Sequence, residues 1–157
     1  MDFDYFHLLL FAIPFAVAYF FKVWFRRKSF LEYLIPSFIF FAIGFRALFS
    51  SFAQVFLADD IAAFLNQVPN PFIRELGYAN MGMGIAAVIA VFYAAIRLLF
   101  FAALPYAIYL SLSALGHLSE LIDIQSINYI TFSDWVVVDF ITPLTFFILF
   151  HLRSRYE

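Results

Sequence analysis

The chain has 157 residues, of which 66% are hydrophobic and 13% are charged, and its mean hydropathy is +0.95. A soluble domain is about a quarter charged and could not bury so much apolar surface, so the composition excludes a soluble protein and predicts a membrane domain. The net charge is −2 and cysteine is absent, which excludes disulfides and thiolate metal sites formed by the chain itself.

Apolar runs of about 20 residues mark transmembrane helices, and five such runs follow one another along the chain. The first is expected to be a permanent helix rather than a cleavable signal, because Asp2 and Asp4 stand where a signal peptide carries Lys or Arg. The predicted helices span about 5–25, 31–57, 72–95, 98–121 and 133–151. The sequence therefore predicts an all-α, polytopic membrane helix bundle, with a single domain over 1–157.

Two features separate the middle helices. The turn-forming sequence VPNP, residues 68–71, contains two prolines that disfavour a continuous helix after the second span. Arg97 divides the apolar stretch between 72 and 121, which is too long to be one span. A loop rich in polar and β-branched residues then separates the fourth and fifth predicted helices.

The distribution of Lys and Arg predicts the orientation of this bundle. With the N-terminus outside and the C-terminus inside, Arg74 lies outside, Arg46 lies within the membrane, and most acidic residues fall on the outer side. The remaining seven of the nine basic residues then lie inside: Lys22, Arg26, Arg27, Lys28, Arg97, Arg153 and Arg155. Five helices, with the N-terminus out and the C-terminus in, satisfy this bias.

Arg46 is the most costly residue to place in this arrangement. On the rise of a helix it lies about 16 Å in from Leu57, at the outer end of the second span. A charge at mid-membrane costs at least about 2.5–3.5 kcal/mol on insertion scales, so it needs a partner or a purpose. Ser50 and Gln54 follow at helical spacing and extend a polar stripe from Arg46 to the outer surface.

Asp139 is a second buried charge, about 9 Å below Ser133 on the same rise. Pro143 lies four residues further on and removes the backbone hydrogen bond to the carbonyl of Asp139, so a kink is predicted there.

Two further helices carry polar faces. On the third helix, small residues flank one amide at helical spacing: Gly77, Asn80 and Gly84. On the fourth, a polar stripe ends in an imidazole and a carboxylate: Tyr106, Tyr109, Ser113, His117 and Glu120. All four stripes run toward the outer half of the membrane, which predicts a polar pocket there, lined by Arg46, Gln54, Glu75, Asn80, His117 and Asp139.

Each of these residues also has a purely structural interpretation. Arg46 could pair with Asp139 or Glu75 to fix the helix register, and Asn80 could join two helices by a hydrogen bond. Glu75 and Arg74 could form a charge pair at a helix start, with a favourable dipole placement for the Glu. His117 could be an ordinary boundary histidine.

The segment PFIRELGYAN resembles the Pro-Phe-x-x-Glu-Leu-Gly-x-Ala-Asn signature of a family of small prokaryotic integral membrane proteins, the domain of unknown function 6790, which is DoxX-like. The matching positions are Pro71, Phe72, Glu75, Leu76, Gly77, Ala79, Asn80, and, in a second element, Asp139 and Pro143. The resemblance implies a multi-pass protein of the prokaryotic cytoplasmic membrane, with no activity or catalytic residue to carry over. Some DoxX-like relatives accompany quinone-linked or thiol-linked redox enzymes.

The leading hypothesis is a non-enzymatic membrane protein that binds a small amphipathic ligand, a lipid or a quinone, or that serves as an accessory subunit of a membrane complex. Arg46 would anchor an anion or carbonyl, Asp139 and Glu75 would be counter-ions, and Asn80 and His117 would orient the ligand. A proton-coupled transporter using Asp139, Glu75 and His117 is one alternative. A membrane enzyme acting on a quinone or a lipid head group is another.

Other function classes find no support in the sequence. Phosphate-binding glycine loops, zinc-protease motifs and serine nucleophile elbows are absent, so no catalytic residue, metal or cofactor is predicted. The basic residues are too few and too close to the membrane to predict nucleic-acid binding. The predicted partners are membrane lipid, an amphipathic small molecule such as a quinone, and a membrane protein.

Overall fold

The computed structural model describes residues 6–64, 68, 70–93, 95–123 and 136–155, with the side chains at 64, 117, 119–123 and 136–138 outside that description. All regular structure within these ranges is helical. The elements are α1 (Phe6–Phe25), α2 (Phe30–Phe56), a short α3 (Ala58–Phe64), α4 (Pro71–Tyr93), α5 (Ile96–Asp123) and α6, which joins a π-helical segment, Val136–Ile141, to an α-helix, Thr142–Ser154.

Four helices in the described part of the chain are long and apolar enough to cross a membrane: Phe6–Phe25, Phe30–Phe56, Pro71–Tyr93 and Ile96–Gly116. These correspond to the first four predicted spans and indicate a multi-pass membrane protein. Of the fifth predicted helix, residues 133–135 lie outside the described residues, and the remainder is helical from Val136 onward.

The connection between α1 and α2 is a tight, hydrogen-bonded turn. Arg26 adopts a left-handed backbone conformation, with φ of 52°, which ends α1. Ser29 then caps α2: its hydroxyl accepts from the backbone N–H of Glu32 at 3.3 Å, and the Glu32 carboxylate accepts from the N–H of Ser29 at 2.7 Å. Glu32 also lies 3.7 Å from the guanidinium of Arg153, which brings the end of α6 to this turn.

The turn-forming sequence before α4 separates α3 from α4, as the prolines predict. Asn70 caps α4, because its side-chain oxygen accepts from the N–H of Phe72 at 3.0 Å, and Pro71 occupies the first helical position, where its missing N–H costs nothing. The sequence analysis did not predict the short helix α3. Asp59 and Asp60 in its first turn favour that helix by facing the positive end of its dipole.

Two π-helical segments interrupt the bundle, and both lie at buried charges. Ile39–Phe45 lies within α2 and ends directly before Arg46, and Val136–Ile141 in α6 contains Asp139. The kink predicted at Pro143 stays a prediction: Pro143 follows this second segment, in the first turn of the α-helical part of α6, and has no N–H to donate to the carbonyl of Asp139.

Glycines allow α2 and α4 to approach closely. A Cβ added at Gly84 would lie 2.9 Å from Leu48 Cγ and 3.0 Å from the carbonyl oxygen of Gly44, and a Cβ at Gly77 would lie 2.8 Å from Val55 Cγ2. The small-residue face predicted on this helix therefore packs against α2, and Asn80 lies on that same buried face.

The apolar core includes the half of the bundle that adjoins the α1–α2 turn and the C-terminal end of α6. Small and large apolar side chains alternate there, including Ala18, Ile35, Phe38, Ala87, Ala90, Leu99, Ala103, Phe146 and Leu149. We call this half the basic end, because Lys28, Arg97 and Arg153 also lie there.

Replacing Gly84 by Ala is expected to destabilise the bundle by about 1–3 kcal/mol, because the new methyl group would meet backbone atoms of α2 that cannot move independently. The free energy of unfolding, or the thermal midpoint in detergent, measures the change. Gly82→Ala is the matched control, since a Cβ there has no neighbour within 4 Å. Equal stability of the two variants would contradict the close packing of α2 against α4.

Candidate functional site

A network of buried polar side chains occupies the half of the bundle opposite the basic end, and we call it the polar cluster. It draws on α1, α2, α4, α5 and α6. Its fully or almost fully buried members are Arg46 (0% exposed), Asn80 (1%), Tyr106 (2%), Asp139 (6%) and Thr142 (0%). Polar groups buried in lipid must find partners within the protein, so their contacts define how the helices meet.

Arg46 connects three helices. Its Nη1 donates to Thr142 Oγ1 on α6 at 2.7 Å, and its Nη2 donates to the backbone carbonyl of His7 on α1 at 2.8 Å. Both acceptors are uncharged, and both lie far from Arg46 in the sequence. The guanidinium thus fixes the first and last described helices against α2.

Asp139 connects α6 to α5. Its Oδ2 accepts a hydrogen bond from the hydroxyl of Ser113 at 3.0 Å. The carboxylate lies three residues before Thr142, on the same face of α6, so one helix face presents an acceptor to α5 and another to Arg46. The charges of Arg46 and Asp139 both act on the hydroxyl of Tyr106, with opposite signs.

Two tyrosines on α5 join the halves of the cluster. The rings of Tyr106 and Tyr109 stack with centroids 5.8 Å apart and an interplanar angle of 29°. The Tyr106 hydroxyl interacts with the side chain of Ser50, and the Tyr109 hydroxyl interacts with that of Asn80. Tyr106 of the α5 stripe therefore contacts Ser50 of the α2 stripe.

Asn80 joins α4 to α2 by a direct hydrogen bond. Its Nδ2 donates to Gln54 Oε1 at 2.8 Å. This is the interhelical contact that the structural interpretation of Asn80 expects. It accounts for the nitrogen of the amide only, because Asn80 Oδ1 is buried and has no hydrogen-bond partner among the described residues.

His7 Nδ1 and Ser51 Oγ are also buried without a hydrogen-bond partner among the described residues. Buried polar atoms in folded proteins are almost always paired with protein groups, ordered water or a ligand, so each such atom needs an explanation. Asn80 Oδ1 is the one of these three atoms whose side chain makes a hydrogen bond between α2 and α4.

The predicted site residues do not all meet. Arg46, Gln54, Asn80 and Asp139 belong to the polar cluster. Glu75 is exposed and instead lines a groove of about 390 Å³ with Asp59, Asn70, Pro71, Arg74 and Tyr78. Arg74 in that groove lies 3.4 Å from the carboxylate of Asp59, so it pairs across to α3. The side chain of His117 lies outside the described residues, although its backbone belongs to α5.

Sequence reasoning missed two partners of Arg46. Thr142 is three residues from Asp139, and its position on the same helix face was a usable signal. The carbonyl of His7 offered no signal, because any residue in that turn of α1 could supply a backbone oxygen. Among the described residues, no group of three or more His, Asp or Glu side chains is placed to hold a metal ion.

Comparison with known protein families identifies the family of this chain. The model of the family of unknown function DUF6790 matches residues 4–157, which is nearly the whole chain. The chain belongs to this family. Neither the curated proteins nor the solved structures give a significant match.

The Gln54–Asn80 contact can be measured by a double-mutant cycle with Gln54→Leu and Asn80→Leu, each of which replaces an amide by an apolar side chain. We expect a coupling free energy of about 0.6 kcal/mol, and at most about 1.7, which is the range for hydrogen bonds between membrane helices. Pairing Asn80→Leu with Ser37→Ala is the control, because the Ser37 hydroxyl donates to the carbonyl of Tyr33 within its own helix. A coupling no larger than that of the control would contradict the interhelical bond.

Proposed function

We propose that this protein is a five-span protein of a prokaryotic cytoplasmic membrane, with its N-terminus outside, and that its polar cluster binds the head group of a small amphipathic molecule. The observation that carries the proposal is the buried Asn80 Oδ1, which lacks a partner among the described residues. A ligand that donates a hydrogen bond to this oxygen would remove the free-energy cost of burying it, which is about 1–3 kcal/mol.

The charges of the cluster narrow the chemistry of the head group. Of the buried described residues, Arg46 carries a positive charge and Asp139 a negative one, and both act on the hydroxyl of Tyr106. A multiply charged head group would leave uncompensated charge inside the bundle. The arrangement therefore favours an uncharged head group with both hydroxyl and carbonyl oxygens, such as a quinone–quinol pair or a neutral lipid, over a phosphate.

The apolar tail of such a molecule would lie in the bilayer beside the helices, while its head group occupies the polar cluster. Some DoxX-like proteins accompany quinone-linked enzymes. By this resemblance, the ligand of the present protein would be a quinone, and the protein would serve as an accessory subunit of a membrane complex. The resemblance supports this role only by analogy.

Mass spectrometry of molecules extracted from the purified protein tests the proposal. We expect the wild-type protein, isolated from its own membrane, to carry one amphipathic molecule in near-stoichiometric amount. Arg46→Leu should lose at least about tenfold of it, because a factor of ten corresponds to about 1.4 kcal/mol and hydrogen bonds to charged groups contribute about 1.5–3. An empty wild-type protein would contradict the proposal.

Since Arg46→Leu also removes contacts to α1 and α6, a milder variant separates binding from folding. Tyr109→Phe removes only the hydroxyl that interacts with Asn80, and we expect it to lower the bound amount several-fold at unchanged thermal stability. Tyr93→Phe is the matched control, because Tyr93 is 71% exposed. If both tyrosine variants keep the same amount of ligand, the polar cluster is not the binding site.

A proton-coupled transporter is the second candidate, favoured by one observation: the Asp139 carboxylate is buried and linked to the hydroxyl of Ser113, which could pass a proton. Proton flux into proteoliposomes separates the two functions. We expect the wild-type protein and Asp139→Asn to give the same background flux, because binding alone moves no proton. Flux that depends on the wild-type protein and disappears in Asp139→Asn would replace binding by transport.

A further inference from the structure

A second site of different character lies at the basic end, outside the polar cluster. A groove of about 300 Å³ opens between the start of α5 and the end of α6, and it is lined by Ile96, Arg97, Phe100, Phe101, Phe150 and Ser154. Its volume reaches the lower limit of ordinary ligand pockets, which is about 300 Å³. One end of the groove carries a guanidinium, and the walls are aromatic.

The aromatic walls are held in place by packing within the bundle. Phe100 contacts Phe150 at a centroid distance of 5.1 Å and stacks on Phe146 at 5.5 Å with an interplanar angle of 14°. Phe101 is 65% exposed and belongs to the segment Ile96–Gly116, which is apolar enough to span a membrane. The groove therefore has a fixed floor and a wall that faces the bilayer.

Arg97 is the cation of this groove, and the described residues give it no ion pair. It is exposed on the first turn of α5. Arg153, by contrast, lies 3.7 Å from the carboxylate of Glu32. A smaller cavity of about 100 Å³ adjoins the groove through Ile96, and Lys28, Glu32 and Arg153 line it. The two cavities are thus lined by three cationic side chains and one carboxylate, which gives them a net positive charge.

We propose that this groove binds one anionic phospholipid of the adjacent leaflet, with its phosphate at Arg97 and an acyl chain along Phe100, Phe101 and Phe150. Arg binds phosphate with two parallel donors, and basic pockets between membrane helices on the cytoplasmic side recognise anionic head groups. A soluble partner would not meet Phe101 within the bilayer, whereas a lipid presents an anion and an apolar chain at the required depths. The site is independent of the polar cluster and of its ligand.

Native mass spectrometry tests the proposal, with the protein released from nanodiscs of equal parts phosphatidylglycerol and phosphatidylcholine. We expect the wild-type protein to retain phosphatidylglycerol in several-fold excess, and Arg97→Gln to lose that excess. Arg97→Lys keeps the positive charge and should retain at least about half of the excess of phosphatidylglycerol. This variant shows whether the loss in Arg97→Gln comes from the missing charge or from a folding defect.

Arg27→Gln is the matched control, because Arg27 is an exposed arginine on the α1–α2 turn at the same end and does not line the groove. We expect this variant to retain phosphatidylglycerol as the wild-type protein does. If Arg27→Gln and Arg97→Gln lose phosphatidylglycerol equally, the lipid is attracted by the overall positive charge of the basic end, and the proposed site is refuted. Equal retention of the two lipids by the wild-type protein would refute it as well.

Discussion

The guanidinium of Arg46, held within a bundle whose solvent is lipid, is the constraint on which the arrangement of the helices depends. An arginine cannot give up its proton to escape the cost of burial, so the chain must supply acceptors. It supplies them from α1 and α6, through the carbonyl of His7 and the hydroxyl of Thr142. Hydropathy alone does not make α1 and α6 neighbours of α2, but these two hydrogen bonds do, and losing either acceptor would leave a donor of a buried cation unpaired.

The two π-helical segments lie at the two buried charges, Arg46 and Asp139. A π-helical turn inserts an extra residue into an α-helix and rotates the residues beyond it, and such turns are frequently found at functional sites. One ends directly before Arg46 and the other contains Asp139. Both buried charges thus lie at irregular turns, and Pro143 has no N–H to donate to the carbonyl of Asp139 in the second of them. Irregular backbone inside a membrane persists only where protein buries it, and four residues of the first segment, Ile39, Ala42, Ile43 and Gly44, are buried.

Hydropathy and helical spacing predicted the first four apolar spans, the small-residue face of α4 and the polar spacing from Arg46 to Gln54, because these depend on local periodicity. They could not predict which side chain of another helix would meet Arg46, since nothing in the spacing of one helix specifies its neighbours. Glu75 shows the limit of the inference. On an ideal helix it lies about 140° around the axis from Asn80, so the exposed position of Glu75 follows from the same periodicity that buries Asn80. The π-helical turns were not predictable from spacing, which they interrupt.

Among the described residues, buried polar side chains lie in one half of the bundle and not in the other, and this arrangement favours ligand binding over transport. Between the cluster and the basic end, the buried described side chains are apolar, and Phe100, Phe146 and Phe150 pack there in mutual contact. A transported ion would have to cross this layer without polar partners, at the cost that burying a charge in an apolar medium always carries. A bound head group needs no such crossing, because its apolar tail can remain in the lipid beside the helices. The same apolar layer that stabilises the fold therefore favours a site that holds a molecule over a path that conducts one.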